Sequence, residues 1–163
     1  KSRIDSNWRA NVEVARWWGL AGVGSHCLDL VRWFLTPVCG EVTDVTSLVA
    51  RSVFAGPNDE TALVMLRFAS GATAEIVTSV LFESAPRVEV YGSKGTIECK
   101  STLGPHGAGR VRVNGQDLAY ARKDPYEGEI NDFVEAVAQS RAPEVGGDEG
   151  LRNVELLLRA DPR

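Results

Sequence analysis

The stretch Thr61-Ala62-Leu63-Val64-Met65-Leu66-Arg67-Phe68 decides the fold. It has the length and composition of a strand, and Ser70-Gly71 then forms a tight-turn signal before a second β-rich run over residues 73–80. These features predict an antiparallel hairpin. Apolar side chains alternate onto both faces of the first strand, a pattern typical of a sheet that is covered on both sides.

Further strands are predicted on either side of this hairpin. They cover residues 42–50, 87–91, 96–100, 110–113 and 117–121. Gly92-Ser93-Lys94-Gly95 and Asn114-Gly115 are turn signals, and the second is a strong type I′ signal. We therefore expect two more antiparallel hairpins after the first.

A short helix is predicted before the strands, over residues 25–35. Apolar residues recur there with helical spacing, and Ser25 is a good N-cap candidate. Pro37 and Gly40 are expected to end this helix.

Two further helices, near Tyr126 and Asp148, are predicted after the strands. Strands followed by helices indicate an α+β fold with an open, largely antiparallel sheet and helices on one face. The other face would pack on a second copy of the chain or be covered by the chain's own loops. The residues leave both possibilities open.

The composition is that of an ordinary globular domain. The chain has 163 residues, 25% charged and 44% hydrophobic, with a net charge of −4. No basic stripe is visible, so nucleic acid and anionic membranes are poor partners, and no apolar run approaches the ~20 residues of a membrane span. Three cysteines without metal-ligand spacing predict reduced thiols, no metal site and a cytoplasmic location.

His26 is the first candidate for acid–base chemistry. It lies three residues before Asp29, and residues three apart on a helix are neighbours. A capping or packing role is the commoner one for a histidine in a first helical turn. The only other histidine, His106, lies in a glycine-rich loop. The glycines at 22 and 24 lack a preceding strand and a third glycine, so they do not indicate a dinucleotide loop.

Six segments occur in an order that resembles a known family. They are Asn7-Trp8-Arg9, Gly24-Ser25-His26-x-x-Asp29-Leu30-x-Arg32-Trp33, Asp59-Glu60-Thr61-Ala62, Phe68-Ala69-Ser70-Gly71-Ala72, Val90-Tyr91-Gly92-Ser93-Lys94-Gly95-Thr96-Ile97 and Tyr126-x-x-Glu129-Ile130-x-Asp132-Phe133. In this order they resemble the C-terminal domain of the GFO/IDH/MocA family, the NAD(P)-dependent oxidoreductases that act on sugars, cyclitols and related polyols.

The resemblance implies that residues 1–163 form a single substrate-binding and oligomerisation domain. NAD or NADP would be held by an N-terminal Rossmann domain that this chain lacks, so we expect the fragment alone to bind no cofactor and to be inactive. His26 would exchange a proton with the carbinol oxygen of the sugar or polyol. Trp8 and Arg9 would contact the substrate, and Asp29 would either contact it or orient His26. A homo-oligomer, at least a dimer, would form through the open sheet face.

One position departs from the family pattern. Where the family has an aspartate four residues before the histidine, this chain has Gly22. The network that orients the reactive hydroxyl is therefore thinner. The alternative that follows is a non-catalytic oligomerisation or ligand-binding module derived from the same domain. The chain also begins at Lys1 and ends directly after an apolar helical pattern, so we expect a fragment of a longer protein.

Overall fold

The structure is a computed structural model that describes residues 8–54, 56–83 and 85–162. It divides into two compact units: one holds the described residues up to Glu83 and from Gly147 onwards, and the other holds those in between. That the two units act as one domain stays a prediction. No helix among the described residues is long and apolar enough to cross a membrane.

The elements follow the predicted order of helix, strands and helices. The helices are α1 (Gly19–Gly22), α2 (Gly24–Cys39), α3 (Pro125–Gln139) and α4 (Gly147–Ala160), with a 3₁₀ turn over Trp8–Ala10 before them. The strands are β1 (Val42–Ala50), β2 (Thr61–Phe68), β3 (Thr73–Ser79), β4 (Arg87–Gly92), β5 (Gly95–Lys100), β6 (Arg110–Val113) and β7 (Gln116–Asp117).

The first unit contains the predicted hairpin as the centre of a three-stranded antiparallel sheet, in the order β1-β2-β3. Helices α2 and α4 contact one face of this sheet. Because side chains alternate along a strand, every second residue of β2 points into that core. These buried residues are Ala62, Val64, Leu66 and Phe68.

The other face of the first sheet carries an apolar row that the described residues leave uncovered. Leu48, Leu63 and Val77 are direct neighbours across the three strands. Leu48 is 70% exposed and Val77 62% exposed, and Met65 beside them is 54% exposed. Among the described residues, the chain's own loops do not cover this face, so only one side of β2 is fully buried.

The second unit contains a four-stranded antiparallel sheet in the order β4-β5-β6-β7. Asn114 and Gly115 both have positive φ, 51° and 79°, as the predicted type I′ turn requires. The strand predicted over residues 117–121 is wrong in its bounds, because β7 covers only Gln116–Asp117. The α+β class and the antiparallel pairing are confirmed. Within the described residues, the strands form two open sheets, of three and four strands, instead of the single sheet that was expected. Of the three predicted helices, α3 belongs to this second unit.

The bounds of α2 differ from the prediction at both ends. The helix begins at Gly24, and Ser25 does not cap it: its Oγ donates to the Ala21 carbonyl at 2.6 Å. The helix also continues through Pro37 to Cys39, because a proline in the last turn removes only one hydrogen bond. Gly40, at φ 78°, ends it, and its N–H donates to the Thr36 carbonyl.

Candidate functional site

A surface groove of about 370 Å³ opens in the first unit, between the described residues before α1 (8–18, here called the N-terminal arm) and the junction of α1 with α2. Its lining residues are Trp8, Arg9, Ala15, Arg16, Trp17, Ala21, Gly22 and His26. The groove therefore brings together three of the residues that the sequence analysis selected: His26, Trp8 and Arg9.

Each arginine in the groove lies over a neighbouring tryptophan. The Arg9 guanidinium is 4.3 Å from the centroid of the Trp8 ring, and that of Arg16 is 5.2 Å from the centroid of Trp17. Asp161 accepts hydrogen bonds from Arg16 Nε at 2.8 Å and from Trp17 Nε1 at 2.9 Å. The Asp161 side chain is only 1% exposed. The second arginine–tryptophan pair is therefore anchored to the end of α4.

Asn58 closes the arm into a loop. Its side chain is buried, and its Nδ2 donates to the carbonyl of Arg9 at 2.8 Å and to the carbonyl of Ala15 at 2.9 Å. A single amide therefore holds both ends of the segment that separates Arg9 from Arg16. Because of this closure, the two arginines lie on the same groove.

Asp59 holds the start of α1. Its carboxylate accepts from the backbone N–H groups of Trp18 and Leu20, and its carbonyl accepts from Gly19 at 3.1 Å. A Cβ on Gly19 would lie 3.1 Å from Asp59 Oδ2 and 3.2 Å from the Glu60 carbonyl oxygen, so any larger residue would require these atoms to move by a few tenths of an ångström. A dinucleotide phosphate does not fit here, because an internal carboxylate already binds the backbone donors that would cradle it.

Glu60 organises the loop after β1. It is 1% exposed, and its carboxylate accepts from the N–H groups of Ser52 and Val53, both at 2.8 Å, and from that of Phe54. Burial acts to raise the pKa of Glu60, but the three backbone donors stabilise the anion and bring its pKa below the ordinary 4.5. The loop holds the Phe54 ring stacked on Trp18, with centroids 5.3 Å apart.

His26 lies in the first turn of α2, where its side chain is exposed and lines the groove beside Gly22. A Cβ built on Gly22 meets no atom within 4 Å. The position where the resemblance implies a carboxylate therefore has open space around it, next to the candidate histidine.

Asp29 is not among the residues that line the groove. Its carboxylate accepts from Asn153 Nδ2 at 2.6 Å, and the Oδ1 atom of Asn153 accepts from Arg32 at 2.7 Å. Arg32 is 3% exposed and also binds Glu149 at 2.7 Å. Asp29 thus belongs to a polar bridge between α2 and α4, and its role as a substrate contact stays a prediction.

Sequence reasoning missed Arg16, Trp17 and Asn58. The signal for the first two was present, because Arg16-Trp17 mirrors the Trp8-Arg9 pair in the same polar arm. Asn58 gave no signal, since it lies in a stretch whose proline, glycine and aspartate are typical of any surface loop.

The cysteines do not form a metal site in the described part of the chain. All three are free and partly buried, and Cys27 and Cys39 pack against the core as small hydrophobic residues. Burial raises the pKa of the Cys27 thiol. Within the described ranges, no group of three or more His, Cys, Asp or Glu side chains could hold a metal ion.

Comparison with known proteins identifies the family of this chain and relatives that are oxidoreductases. Residues 2–98 match the model of the GFO/IDH/MocA C-terminal domain. The chain is 29% identical to myo-inositol 2-dehydrogenase of Thermotoga maritima over 134 residues, which cover 77% of this chain and 40% of that protein. It is also 29% identical over 140 residues to the uncharacterized oxidoreductase YrbE of Bacillus subtilis, covering 78% of this chain and 40% of the relative.

Solved structures agree in fold. The aldose-aldose oxidoreductase from Caulobacter crescentus, complexed with glycerol, superposes with a TM-score of 0.82 at 26% identity, covering 98% of this chain and 50% of that one. A putative NADPH-dependent oxidoreductase from Desulfitobacterium hafniense gives a TM-score of 0.80 at 20% identity over 95% of this chain and 48% of the other. The chain spans about two fifths of the length of the curated relatives that it matches.

Proposed function

The chain belongs to the GFO/IDH/MocA C-terminal domain family, and on that premise we propose that it is the substrate-binding part of an NAD(P)-dependent oxidoreductase acting on a sugar, cyclitol or related polyol. The observation that carries the proposal is the groove in which His26, Trp8 and Arg9 meet. The relatives named for inositol and aldose chemistry support this substrate class.

The cofactor would be bound by a Rossmann domain outside this chain. The glycine-containing segment at α1 does not fit a phosphate, because Asp59 already accepts from its backbone donors. The chemistry that this chain would supply is binding and proton transfer. Titration of the isolated chain with NAD or NADP checks this division, and saturable micromolar binding would contradict it.

His26 would act as the proton acceptor for the reacting hydroxyl. Oxidation of a carbinol releases a proton, and imidazole ordinarily changes charge between about pH 5 and 8, where a general base is most useful. The exposed position of His26 leaves room for a substrate above it. Trp8 would present an apolar ring to the C–H face of the sugar, while Arg9 would donate hydrogen bonds to its oxygens.

The two histidines of the chain give a matched test. In the full-length protein, His26→Ala should lower kcat/KM by about 10²–10⁴. His106→Ala should change kcat/KM by less than about twofold, since exposed residues outside a site have small effects. A His26→Ala variant with unchanged kcat/KM across a panel of polyols would remove His26 from the mechanism.

Gly22 favours the second candidate, a ligand-binding or oligomerisation module without catalysis. No carboxylate is present among the described residues that line the groove, so the network that would orient the reactive hydroxyl lacks the aspartate that the resemblance implies. This candidate predicts that the full-length wild-type protein binds polyols without oxidising them. Turnover of any polyol with either nicotinamide cofactor contradicts it.

The proposal includes a homo-oligomer formed through the open face of the first sheet. Leu48, Met65 and Val77 form an exposed apolar patch there, and a symmetric two-fold contact is the commonest way to cover such a patch. Leu48→Asp should shift the full-length protein toward monomer in sedimentation velocity. Val145→Asp, at a residue that is 61% exposed outside this face, is the control. A wild-type monomer at micromolar concentration would contradict the proposal.

A further inference from the structure

The first part of the N-terminal arm, residues 8–15, buries little apolar surface. Trp8, Val12 and Val14 are 55%, 46% and 63% exposed. The backbone hydrogen bonds around Asn11 are local, because its N–H donates to the Trp8 carbonyl and its carbonyl accepts from Ala15. A segment with few buried apolar contacts has low local stability. Polar contacts with the rest of the first unit therefore determine where this segment lies.

The two ends of the arm are attached by neighbouring residues of one loop. At the C-terminal end, the backbone N–H of Trp18 donates to the Asp59 carboxylate at 2.9 Å. At the other end, Asn58 Nδ2 donates to the Arg9 carbonyl at 2.8 Å, and the same nitrogen donates to the Ala15 carbonyl at 2.9 Å. The Asn58 amide therefore ties the distant end of the arm to the end that Asp59 already holds.

The position of Asn58 requires the chemistry of an amide. Two carbonyl oxygens converge on one nitrogen, so the group between them must supply two hydrogens and carry no negative charge. An amide NH₂ meets both conditions, whereas a hydroxyl supplies one hydrogen and a carboxylate repels both oxygens. Asn58 is 2% exposed, so water cannot readily take its place.

The other half of this amide does not favour folding. Asn58 Oδ1 is buried and has no hydrogen-bond partner among the described residues. An unpaired buried carbonyl lowers the stability of the folded state, and this cost offsets part of what the two bonds from Nδ2 contribute. The main effect of Asn58 is therefore on the position of the arm and not on the stability of the unit.

We propose that Asn58 is a positioning residue for the substrate. It holds Trp8 and Arg9, which line the groove, where they contact a polyol that faces His26. His26 itself lies on α2, which packs on α4 and on the sheet. Asn58 therefore acts on substrate binding and not on proton transfer. The inference rests on the proposed function, since it takes the groove to be the substrate site.

Asn58→Ala in the full-length protein tests this role by steady-state kinetics with myo-inositol, glucitol and glucose. The KM for the best of these substrates should rise about tenfold or more, while kcat stays within about threefold of the wild type. A contact that is equally strong in the ground state and the transition state affects KM alone. The urea midpoint should stay within about 0.5 M of the wild type, because the variant also removes the unpaired carbonyl.

Tryptic cleavage after Arg9 reports on the arm without any turnover. Cleavage requires a segment that opens locally, so a released arm in Asn58→Ala should be cut about tenfold faster at this bond. Cleavage after Arg122, in an exposed stretch of the second unit, is the internal control and should keep its wild-type rate.

Asn11→Ala is the matched variant, with the same substitution in the same arm. Asn11 is exposed, and its Oδ1 accepts from the Glu13 N–H at 3.0 Å, so its loss leaves the arm attached. Its KM and its cleavage rate should stay within about twofold of the wild type. Asn58→Asp keeps the shape of the side chain but repels both carbonyls, so it should raise KM and the cleavage rate at least as much as alanine does.

The results separate a positioning role from a structural one. Failure of Asn58→Ala to fold, an unchanged cleavage rate, or an unchanged KM in a variant whose arm is cut faster overturns the inference. If the wild type oxidises none of the three polyols, the Kd from isothermal calorimetry takes the place of KM. Binding that weakens in Asn58→Ala then supports the inference while the proposed enzyme fails, and a wild type that binds none of them overturns both.

Discussion

The side-chain amide of Asn153 on α4 donates to the carboxylate of Asp29 on α2 at 2.6 Å. Its carbonyl oxygen accepts from Arg32, one turn further along α2, at 2.7 Å. One neutral side chain thus satisfies an anion and a buried cation on the same helix. Because α2 carries His26 in its first turn, this bridge also fixes the helix that presents the candidate catalytic group.

Replacing Asn153 with alanine should destabilise the protein. The substitution removes the amide that donates to Asp29 and the carbonyl oxygen that accepts from Arg32. Arg32 is only 3% exposed, so water cannot readily replace the lost acceptor. The expected loss is about 1–3 kcal/mol in the free energy of unfolding, measured by urea denaturation at neutral pH. Arg152→Ala on the same helix is the control, because an exposed pair such as Arg152–Glu149 contributes only about 0.2–1 kcal/mol. Equal losses in the two variants would mean that the bridge does not hold α2.

Glu60 should make the stability acid-sensitive. Its pKa is lowered in the folded state, so its stabilisation is complete above the ordinary value of 4.5 and is lost as the pH falls through the folded-state value. Glu60→Gln places an amide donor against backbone N–H donors, and it should cost about 1–3 kcal/mol at pH 7. The variant should also lose part of the stability change below pH 4.5.

The exposed Glu75 provides the control for this pH experiment. Glu75→Gln should keep both the stability at neutral pH and the full acid dependence of the wild type. Thermal unfolding between pH 3 and 7 measures the three proteins together. A Glu60→Gln variant that follows the wild-type curve would show that the three backbone hydrogen bonds add nothing.

Gly22→Asp should be tolerated and should change substrate preference. A Cβ there meets no atom within 4 Å, and the new carboxylate would stand in the groove beside His26. A carboxylate near an imidazole orients it and stabilises the positive charge that develops as it accepts the proton, so kcat/KM for neutral polyols should rise by about tenfold. The same negative charge should weaken the binding of oxyanion-bearing polyols about fivefold.

The nearly isosteric Gly22→Asn separates charge from shape in this experiment. It should leave the affinity for oxyanions within about twofold of the wild type, because it adds no charge. Steady-state kinetics of the full-length protein with both classes of polyol give the readout. A Gly22→Asp variant with wild-type kinetics would mean that a carboxylate at this position does not act on His26.

Gly40→Ala should destabilise the junction of α2 with β1 by two effects. The residue has φ 78°, and a Cβ would lie 2.9 Å from the Cβ of Ala69. Gly71→Ala is the matched variant, since Gly71 has φ 90° but open space around its Cβ. Backbone strain alone costs about 1–2 kcal/mol in either variant. Because Gly40→Ala adds a steric clash to this strain, it should lower the unfolding midpoint more than Gly71→Ala. Similar midpoints would exclude a steric contribution from Ala69.

The strands were predictable because their signals are local. The bounds of β1 and β2 match the predicted residues 42–50 and 61–68, since alternating apolar residues and flanking turns determine both ends. The N-terminus of α2 could not be predicted from Ser25. Helix α1 lies directly before α2, and the Ser25 hydroxyl donates to the Ala21 carbonyl in α1 instead of capping α2. Local sequence patterns predict the bounds of a strand, but they do not predict which residue of another element a side chain will contact.

The site was predictable in part for the same reason. His26, Trp8 and Arg9 were found from residue type and resemblance, and they line one groove. Asp29 was expected to face the substrate, but its partner Asn153 lies 124 positions later in the chain. Residue spacing on one helix shows which of its residues are neighbours. It does not show which of them will hydrogen-bond to a second helix.

The loop between β1 and β2 should tolerate few changes in length. Asn58, Asp59 and Glu60 are consecutive, yet they bind three separate segments: the N-terminal arm, the start of α1 and the loop that holds Phe54. Surface connections normally accept insertions between homologues. Here one added residue between Asn58 and Glu60 would move at least one side chain out of reach of its segment. This loop should therefore keep its length among relatives as strictly as a buried strand does.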